Sequence, residues 1–415
     1  MKTVFLEGFH GMIHIALLGF GVVGSGTAEV LSQNKALIEK KVGDTINIKY
    51  ILDLRDFPDS PFGHLVVHDF NTIVNDPEVS LVAEMMGGSH PAYDFTVACL
   101  SAGKSVVTSN KEVVANFGTE LLALAREHGV SYLFEASVGG GIPVIRPLRE
   151  DLAPNHVTAI SGILNGTTNY ILTRMDVEGA SFDDVLKDAQ RMGYAEANPA
   201  ADVEGPDAAR KTVILAAMAF GKRIDPNSIL CEGITKITTA DSELAKSMGY
   251  TLKLIGYTTR VDGRILAMVS PRLVPNTSPI YGVNGVFNGI LVNADMVGEV
   301  MFYGPGAGKL PTASAVVADL TDIMSHTPAG VHAPAWVDAT PDEIASPEDY
   351  VCRSLVVLDA PAEAEAAIAA VFGVLNVKRV APGRFSFITE EMREAEVKDK
   401  LAAVGYPLVS RIRLL

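Results

Sequence analysis

The sequence predicts an α/β protein: a doubly wound parallel sheet, an α+β domain, and a small βαββαβ module at the C-terminal end. Three observations carry this. Roughly the first 145 residues alternate short apolar runs with helical patterns, the rhythm of βαβ units. From Ile142 onward the order of strand-like and helix-like stretches becomes irregular. The tail, behind a stretch of weak periodicity, runs strand, helix, strand, strand, helix, strand.

In chain order, strands are expected at 13–18, 46–52, 81–85, 105–108 and 132–134, and helices at 93–102 and 120–128, with Gly103 and Gly129 as stops. A strand at 156–163 leads into the Gly- and Thr-rich turn ILNGTTNY. Ser181 suits the cap of a helix whose apolar positions are Phe182, Val185, Leu186, Ala189 and Met192, ended by Gly193. Pro206 suits the first turn of the next helix, which runs to Phe220. A second sheet is expected from 253–259, 265–271 and 290–295, followed by a helix at 312–324. The tail supplies strands at 351–358, 377–380, 385–389 and 410–414, and helices at 363–372 and 391–404. The expected division is 1–142 (with helix 312–326) for the first domain, 143–311 for the second, 327–347 as linker and 348–415 for the third. Residues 1–11, ahead of Met12, are expected to form a loose extension.

Composition excludes several classes. The formal net charge is -15, which disfavours nucleic acid and anionic membrane surfaces as partners. The three cysteines, Cys99, Cys231 and Cys352, are odd in number and far apart, which fits a reducing cytoplasm rather than a disulfide framework or cysteine zinc site. No apolar run approaches the roughly 18 residues of a membrane span, and MKTVFLEGFHGM lacks the features of a signal peptide. His64 and His68 stand four apart without any HExxH motif, and read as ordinary surface.

GFGVVG, Gly19 through Phe20, Gly21, Val22 and Val23 to Gly24, follows the first apolar run directly and opens a helical pattern. Gly19 permits a tight turn, Gly21 lets a pyrophosphate approach the backbone, and Gly24 allows close packing. The helix N-terminus offers N–H groups to the phosphates. These are the marks of a Rossmann-type nucleotide site. Asp53 and Arg55 end the second expected strand, where an acidic residue suits the ribose of NAD and an arginine the 2′-phosphate of NADP. Both are present, so the sequence leaves the choice open.

Asp207 and Lys211 are four apart on one expected helix and share a face near its start. Alone they would read as a solvated ion pair. The helix continues as TVILAAMAF, apolar on nearly every side, so a lysine at its mouth calls for a reason, and proton transfer to a carbonyl oxygen is a fitting one.

ILNGTTNYIL and GYAEANPAADVEGPDAARK together resemble the homoserine dehydrogenase family, whose members interconvert aspartate β-semialdehyde and homoserine. GFGVVG, SNK at 109–111, FEASVGGGIP at 134–143 and GPGAG at 304–308 fall in matching order, so the resemblance covers 12–325. It implies Lys211 as acid/base with Asp207 as its carboxylate, and Lys111 as a second lysine between cofactor and substrate. The carboxylate favours the charged form of Lys211, while burial and Lys111 favour the neutral one. The resemblance also implies Glu196 as a ligand of the substrate ammonium, and Asp202, Gly166, Thr167 and Tyr194 as further substrate contacts. Gly87 and Gly308 match positions lining the cofactor. The backbone carbonyls of Glu135, Val138, Gly140 and Ile142, with the Glu135 side chain added, match a sodium or potassium loop. A homodimer or homotetramer is implied.

Two rivals remain at this point. An aspartate-semialdehyde dehydrogenase would need a nucleophilic cysteine, and none of the three cysteines occupies a recognisable active-site loop. A catalytically silent nucleotide-sensing module would be favoured by loss of Lys211 or Lys111, and both are present. The tail has the element order of an ACT domain, but LDAPAEAEAAI carries Ala362 where a DxPG-like turn has glycine, and Glu363 and Glu365 would repel a ligand carboxylate. The expectation is weak or absent inhibition by threonine and a tail that serves subunit contacts.

Overall fold

The structure is a computed structural model that describes residues 11–326, 331 and 334–415. It forms two compact units. The first runs to Leu152 and resumes over Pro305–Val337; the second is Ala153–Gly304 with Asp338–Leu415.

The first unit carries β1 (Met12–Leu18), β2 (Thr45–Leu52), β3 (Val66–Val67), β4 (Val79–Glu84), β5 (Ser105–Thr108) and β6 (Tyr132–Leu133). Their order is β3-β2-β1-β4-β5-β6, all in parallel pairs. This is the doubly wound order of a dinucleotide-binding sheet. Ile15 to Leu18 are fully buried, as expected of strands covered on both faces. The helix Val22–Gln33 packs against Lys309–Ser325, and Gly26 lets them meet: a Cβ there would lie 2.8 Å from the Lys309 carbonyl. Val316, Leu320 and Met324 thereby join Ile15, Leu17 and Leu31 in one core.

The helix expected at 120–128 is Lys111–Glu127, because the Asn110 side chain accepts the Glu112 and Val113 N–H groups and caps it well before Glu120. The division falls at Leu152 rather than 142, since the short helix Ile145–Arg149 is capped by Glu135 of the first unit. It falls again at Pro305 rather than 311, where the Gly141 N–H donates to the Pro305 carbonyl. Part of the expected linker is core: Trp336 is 2% exposed and meets the Phe134 ring at 5.2 Å between centroids. Gly118 makes room for it, as a Cβ there would lie 2.6 Å from the indole. Linker residues 327–330, 332 and 333, and residues 1–10 of the expected extension, lie outside the described residues.

The second unit carries β7 (Val157–Ile163), β8 (Tyr250–Val261), β9 (Arg264–Pro275), β10 (Phe287–Ala294), β11 (Gly298–Pro305, its last residue opening the return of the first unit), β12 (Ser354–Asp359), β13 (Lys378–Ala381), β14 (Arg384–Ile388) and β15 (Leu408–Leu414). They lie in the order β11-β10-β7-β8-β9-β15-β12-β14-β13. The tail is thus no separate body. β15 pairs in parallel with β9 (Arg272↔Arg413, Leu273↔Leu414) and antiparallel with β12. Within the tail, the order β15-β12-β14-β13 with helices Glu365–Phe372 and Glu394–Val404 is the ferredoxin-like 4-1-3-2.

The turn expected at NGTTNY is instead the start of the helix Gly166–Glu178, with Asn165 as its N-cap accepting the Thr168 N–H. The strand expected at 351–358 breaks into Val351–Cys352 and β12. The helix Thr239–Ser247 was not anticipated, although Thr238 and Asp241 form a capping box that the sequence displays.

Candidate active site

The glycine turn is fixed by backbone sterics. Gly19 has φ of 91°, and its N–H donates to the Leu52 carbonyl at 2.8 Å. A Cβ on Gly24 would lie 2.0 Å from the Gly19 carbonyl oxygen, so the turn tolerates only glycine there. At Gly21, the N-cap of Val22–Gln33, a Cβ would meet nothing within 4 Å. The backbone at Gly21 is thus open to close approach from the cleft, the requirement for a pyrophosphate at a helix N-terminus. Val22 is exposed at the mouth of the turn, whereas Val23 packs on the core. The Phe20 ring is buried against Phe57, and its N–H donates to Asp53 Oδ2 at 2.8 Å.

Asp53 and Arg55 hold each other: Nε of Arg55 donates to Oδ1 at 3.0 Å and Nη2 to Oδ2 at 3.1 Å. Burial pushes the Asp53 carboxyl up, but the bonds from Arg55 and the Phe20 N–H overcome this and hold it near 2. Gly19, Gly21, Asp53, Arg55, His68 and Gly87 line a cleft of about 480 Å³ at the C-terminal edge of the sheet. Lys111 is not among the residues that line this cleft; it is half-buried at the start of its helix. Asn110 Nδ2 ties that start to the Gly88 carbonyl at 2.8 Å. Gly308, with φ of 127°, opens the helix Lys309–Ser325. Sequence reasoning passed over Glu84. Its buried carboxyl is raised by burial, and it accepts the Thr108 hydroxyl at 2.6 Å and the Met86 N–H at 2.7 Å, which braces the turn before Gly87.

The FEASVGGGIP loop departs from expectation in one respect. Both oxygens of the Glu135 side chain are taken by backbone: Oε1 by the Val144 and Ile145 N–H groups at 2.6 and 2.9 Å, Oε2 by that of Arg146 at 2.7 Å. The side chain caps a helix rather than entering the loop's interior. The Glu135 N–H donates to Asp319 Oδ2, and burial followed by the Glu135 charge pushes the Asp319 carboxyl up to about 8. Val138 and Ile142 are buried, and a Cβ on Gly140 would lie 2.4 Å from the Gly306 carbonyl, so the loop is pressed onto GPGAG.

In the second unit the helix Pro206–Phe220 starts behind Gly205, whose φ of 95° makes the sharp entry. Asp207 and Lys211 are 6% and 8% exposed. Lys211 Nζ donates to Asp207 Oδ2 at 2.8 Å and to the Leu164 carbonyl at 2.7 Å. Asn165, unremarked in the sequence, organises the carboxylates: its Nδ2 donates to Asp202 Oδ1 at 2.7 Å and Asp207 Oδ2 at 3.0 Å. An amide at an N-cap, with acceptor and donors on opposite sides, was the available signal. Gly166 follows it closely packed, a Cβ lying 2.8 Å from the Val286 carbonyl. Thr167 donates to the Tyr194 carbonyl at 2.6 Å, which brings Tyr194 to the same end of the helix. Glu196 is exposed on the loop between.

Three thiols sit elsewhere. Burial pushes Cys99 up to about 12 and Cys352 to about 11, and also raises Cys231, the opposite of what a thioester-forming nucleophile needs.

A parallel sheet in this order with its glycine turn, together with a unit carrying a buried lysine–carboxylate pair, defines a nicotinamide-dinucleotide oxidoreductase. The sequence model described as "Homoserine dehydrogenase" matches residues 143–321, and that described as "Homoserine dehydrogenase, NAD binding domain" matches 19–135. A homoserine dehydrogenase of Synechocystis sp. is 44% identical over 319 residues, 75% of this chain and 73% of that one. The solved structure of a homoserine dehydrogenase from Thiobacillus denitrificans is similar with a TM-score of 0.90 at 37% identity, covering 98% of this chain and 99% of the other. A hyperthermophilic archaeal homoserine dehydrogenase mutant in complex with NADPH gives 0.65 at 28% identity, covering 75% and 97%. The chain belongs to the homoserine dehydrogenase family, and is an NAD(P)-dependent oxidoreductase acting on a CH–OH group.

Proposed function

We propose that this chain reduces L-aspartate 4-semialdehyde to L-homoserine, with Lys211 as the proton donor. The observation that carries the reading is the buried Lys211–Asp207 pair, held by Asn165 and the Leu164 carbonyl at the mouth of an apolar helix. The bound dinucleotide supplies the hydride to the aldehyde carbon. As the C=O π pair moves onto oxygen, Lys211 Nζ gives that oxygen its proton and recovers one from the alcohol in the reverse direction. Asp207 keeps the ammonium charged and aimed between turnovers. Glu196, Asp202, Tyr194, Thr167 and Gly166 form the wall that takes the substrate's amino-acid end, with Glu196 facing its ammonium. Lys111 is assigned by the resemblance as the second lysine of the reaction.

Gly19 to Gly24, Asp53, Arg55, Gly87 and Gly308 serve the dinucleotide. Arg55 supports use of NADP at least as well as NAD, since a 2′-phosphate can compete with Asp53 for the guanidinium. The carbonyls of Glu135, Val138, Gly140 and Ile142 are proposed to hold sodium or potassium, without the Glu135 side chain. The assembly is proposed to be a cytoplasmic homodimer or homotetramer, and the tail an ACT-like module adapted to subunit contacts.

Homoserine-dependent reduction of NADP and NAD, followed spectrophotometrically, tests the reading. Activity with either cofactor is expected, and none with homoserine would sink it. Lys111→Ala is expected to be crippled; a fully active variant returns Lys111 to the surface.

A further inference from the structure

The cleft that takes the dinucleotide has a wall the glycine motif does not account for. His68 follows β3, and the pairing of β3 with β2 (Leu52↔Val67) sets it beside Asp53 at the sheet's C-terminal edge. Its Nδ1 lies 2.8 Å from the Asp53 carbonyl oxygen and its Nε2 3.1 Å from Asp56 Oδ1. Neither oxygen can donate. A neutral imidazole carries one N–H, so it satisfies one of these contacts; the imidazolium satisfies both. The Asp53 carbonyl, and then the Asp56 charge, accordingly raise the His68 pKa, although the ring is more than half exposed.

The surrounding charges make this proton consequential. Arg55 and Asp53 are clamped on each other and cancel. Asp56 faces His68 directly. Asp69, next in the chain, accepts from the Asn71 N–H and side chain instead. Phe70 and Phe95, stacked at 4.0 Å, and Met85, Met86 and Pro91 bring no charge. Among the described residues lining the cleft, His68 is the one that ordinarily titrates near neutral pH. With it protonated, the Asp56 charge is balanced and Asp69 keeps the one excess carboxylate of this corner; with it deprotonated, Asp56 is left unbalanced as well.

We infer that His68 is a pH-dependent selector between the two dinucleotides, its imidazolium favouring the form that carries a 2′-phosphate. The inference rests on the proposed reading of this cleft as the adenosine end of the cofactor site. A 2′-phosphate brings one to two negative charges to the corner and a 2′-hydroxyl none, so protonation of His68 acts on NADPH and not on NADH. As pH rises and His68 loses its proton, the relative affinity for NADPH falls. The phosphate itself gains charge over the same range, with a second pKa of about 6, so a variant with an uncharged side chain at position 68 sets the baseline.

Fluorescence titration of the full chain with NADPH and with NADH at pH 6 and pH 8 reads both affinities without turnover. In the unaltered protein the preference for NADPH is expected to fall about three- to fivefold between the two pH values, the scale of a partly exposed charge pair. In His68→Gln the fall is expected to disappear, with NADH binding unchanged. Asp56→Asn is expected to strengthen NADPH binding, most at pH 8. Equal pH profiles for His68→Gln and the unaltered protein, with Arg55→Ala still altering the preference, would overturn the selector and leave the cleft reading intact. If neither substitution alters the affinity for either dinucleotide, the cleft reading itself falls.

Discussion

Lys211 and Lys253 both lie in the second unit, with 8% and 1% of their surface exposed. Their ammonium groups keep different company. Lys211 stands in the second turn of a helix, bonded to a carboxylate and a carbonyl, next to an acidic loop. Lys253 stands within β8 and donates to three neutral oxygens: Asn169 Oδ1 at 3.1 Å, the Val283 carbonyl at 2.6 Å and Asn284 Oδ1 at 2.9 Å. Burial lowers its pKa to about 8. It rivets the helix Gly166–Glu178 to the 283–284 turn. Burial alone therefore does not single out a working lysine; on the proposed reading, the accompanying anion and the position at a helix mouth do.

The comparison breaks most easily at Lys211. Lys211→Ala is expected to lower kcat by at least about 10²-fold, the scale of a lost general acid, with NADPH affinity by fluorescence nearly unchanged. Lys253→Met is expected to leave kcat of the folded enzyme within a few-fold. Near-normal turnover of Lys211→Ala over the whole pH range, or a dead but folded Lys253→Met, would reverse the roles.

Asp207→Asn comes next. It keeps the shape and the bond from Asn165 can be rebuilt, but Lys211 loses its charged partner, so kcat should drop by about tenfold. An unchanged kcat would mean that the Leu164 carbonyl alone aims the ammonium.

Lys253 gives a smaller, pH-dependent effect. Its folded-state pKa lies below the roughly 10.4 of an unfolded lysine, so between pH 8 and 10 the unfolded chain binds more protons, and stability contributed by this site rises with pH. Below about pH 8 both states carry the proton and the cost of burying the charge is paid in full. Denaturant melts at pH 7.5 and 9.5 should show the unaltered protein gaining on Lys253→Met by about 1–2 kcal/mol. A difference that stays flat would place the charge of Lys253 in contact with water.

The smallest expected effect is that of threonine. Asp359, at the turn where an ACT module would hold an amino acid, is engaged by Arg384 at 2.7 and 3.1 Å, and Ala362 opens a short 3₁₀ turn. Titrating threonine into the assay should change activity little. Strong inhibition that vanishes on deletion of 348–415 would overturn this.

What could be read from the sequence follows the range of the forces involved. β4 and β5 stood out because strands buried on both faces are short apolar runs, and β1 because its second half is one; β2, only partly buried, showed through the alternation of Ile46, Ile48 and Tyr50 with Asn47 and Lys49. The turn at Gly19–Gly24 stood out because its glycines answer local steric demands. Asp207 and Lys211 were visible only as a helical pair, and the matching of whole motifs gave them meaning. Asn165 and Glu84 were missed because their partners, Asp202, Asp207 and Thr108, lie 37, 42 and 24 residues away. The pairing of β15 with β9, and the use of the Glu135 carboxylate as a cap, were hidden for the same reason: register across distant segments leaves no local trace.

The helix Lys309–Ser325, which fills the first unit's core from beyond Ala153–Gly304 of the second, sets an order for folding as the chain is made. When the N-terminal strands leave the ribosome, Leu31 and Ile38 have no Val316, Leu320 or Met324 to cover them. The nascent nucleotide-binding half must wait, partly open, while the intervening residues are made. Until residue 325 emerges, the apolar face that Val316, Leu320 and Met324 cover in the finished unit is left open.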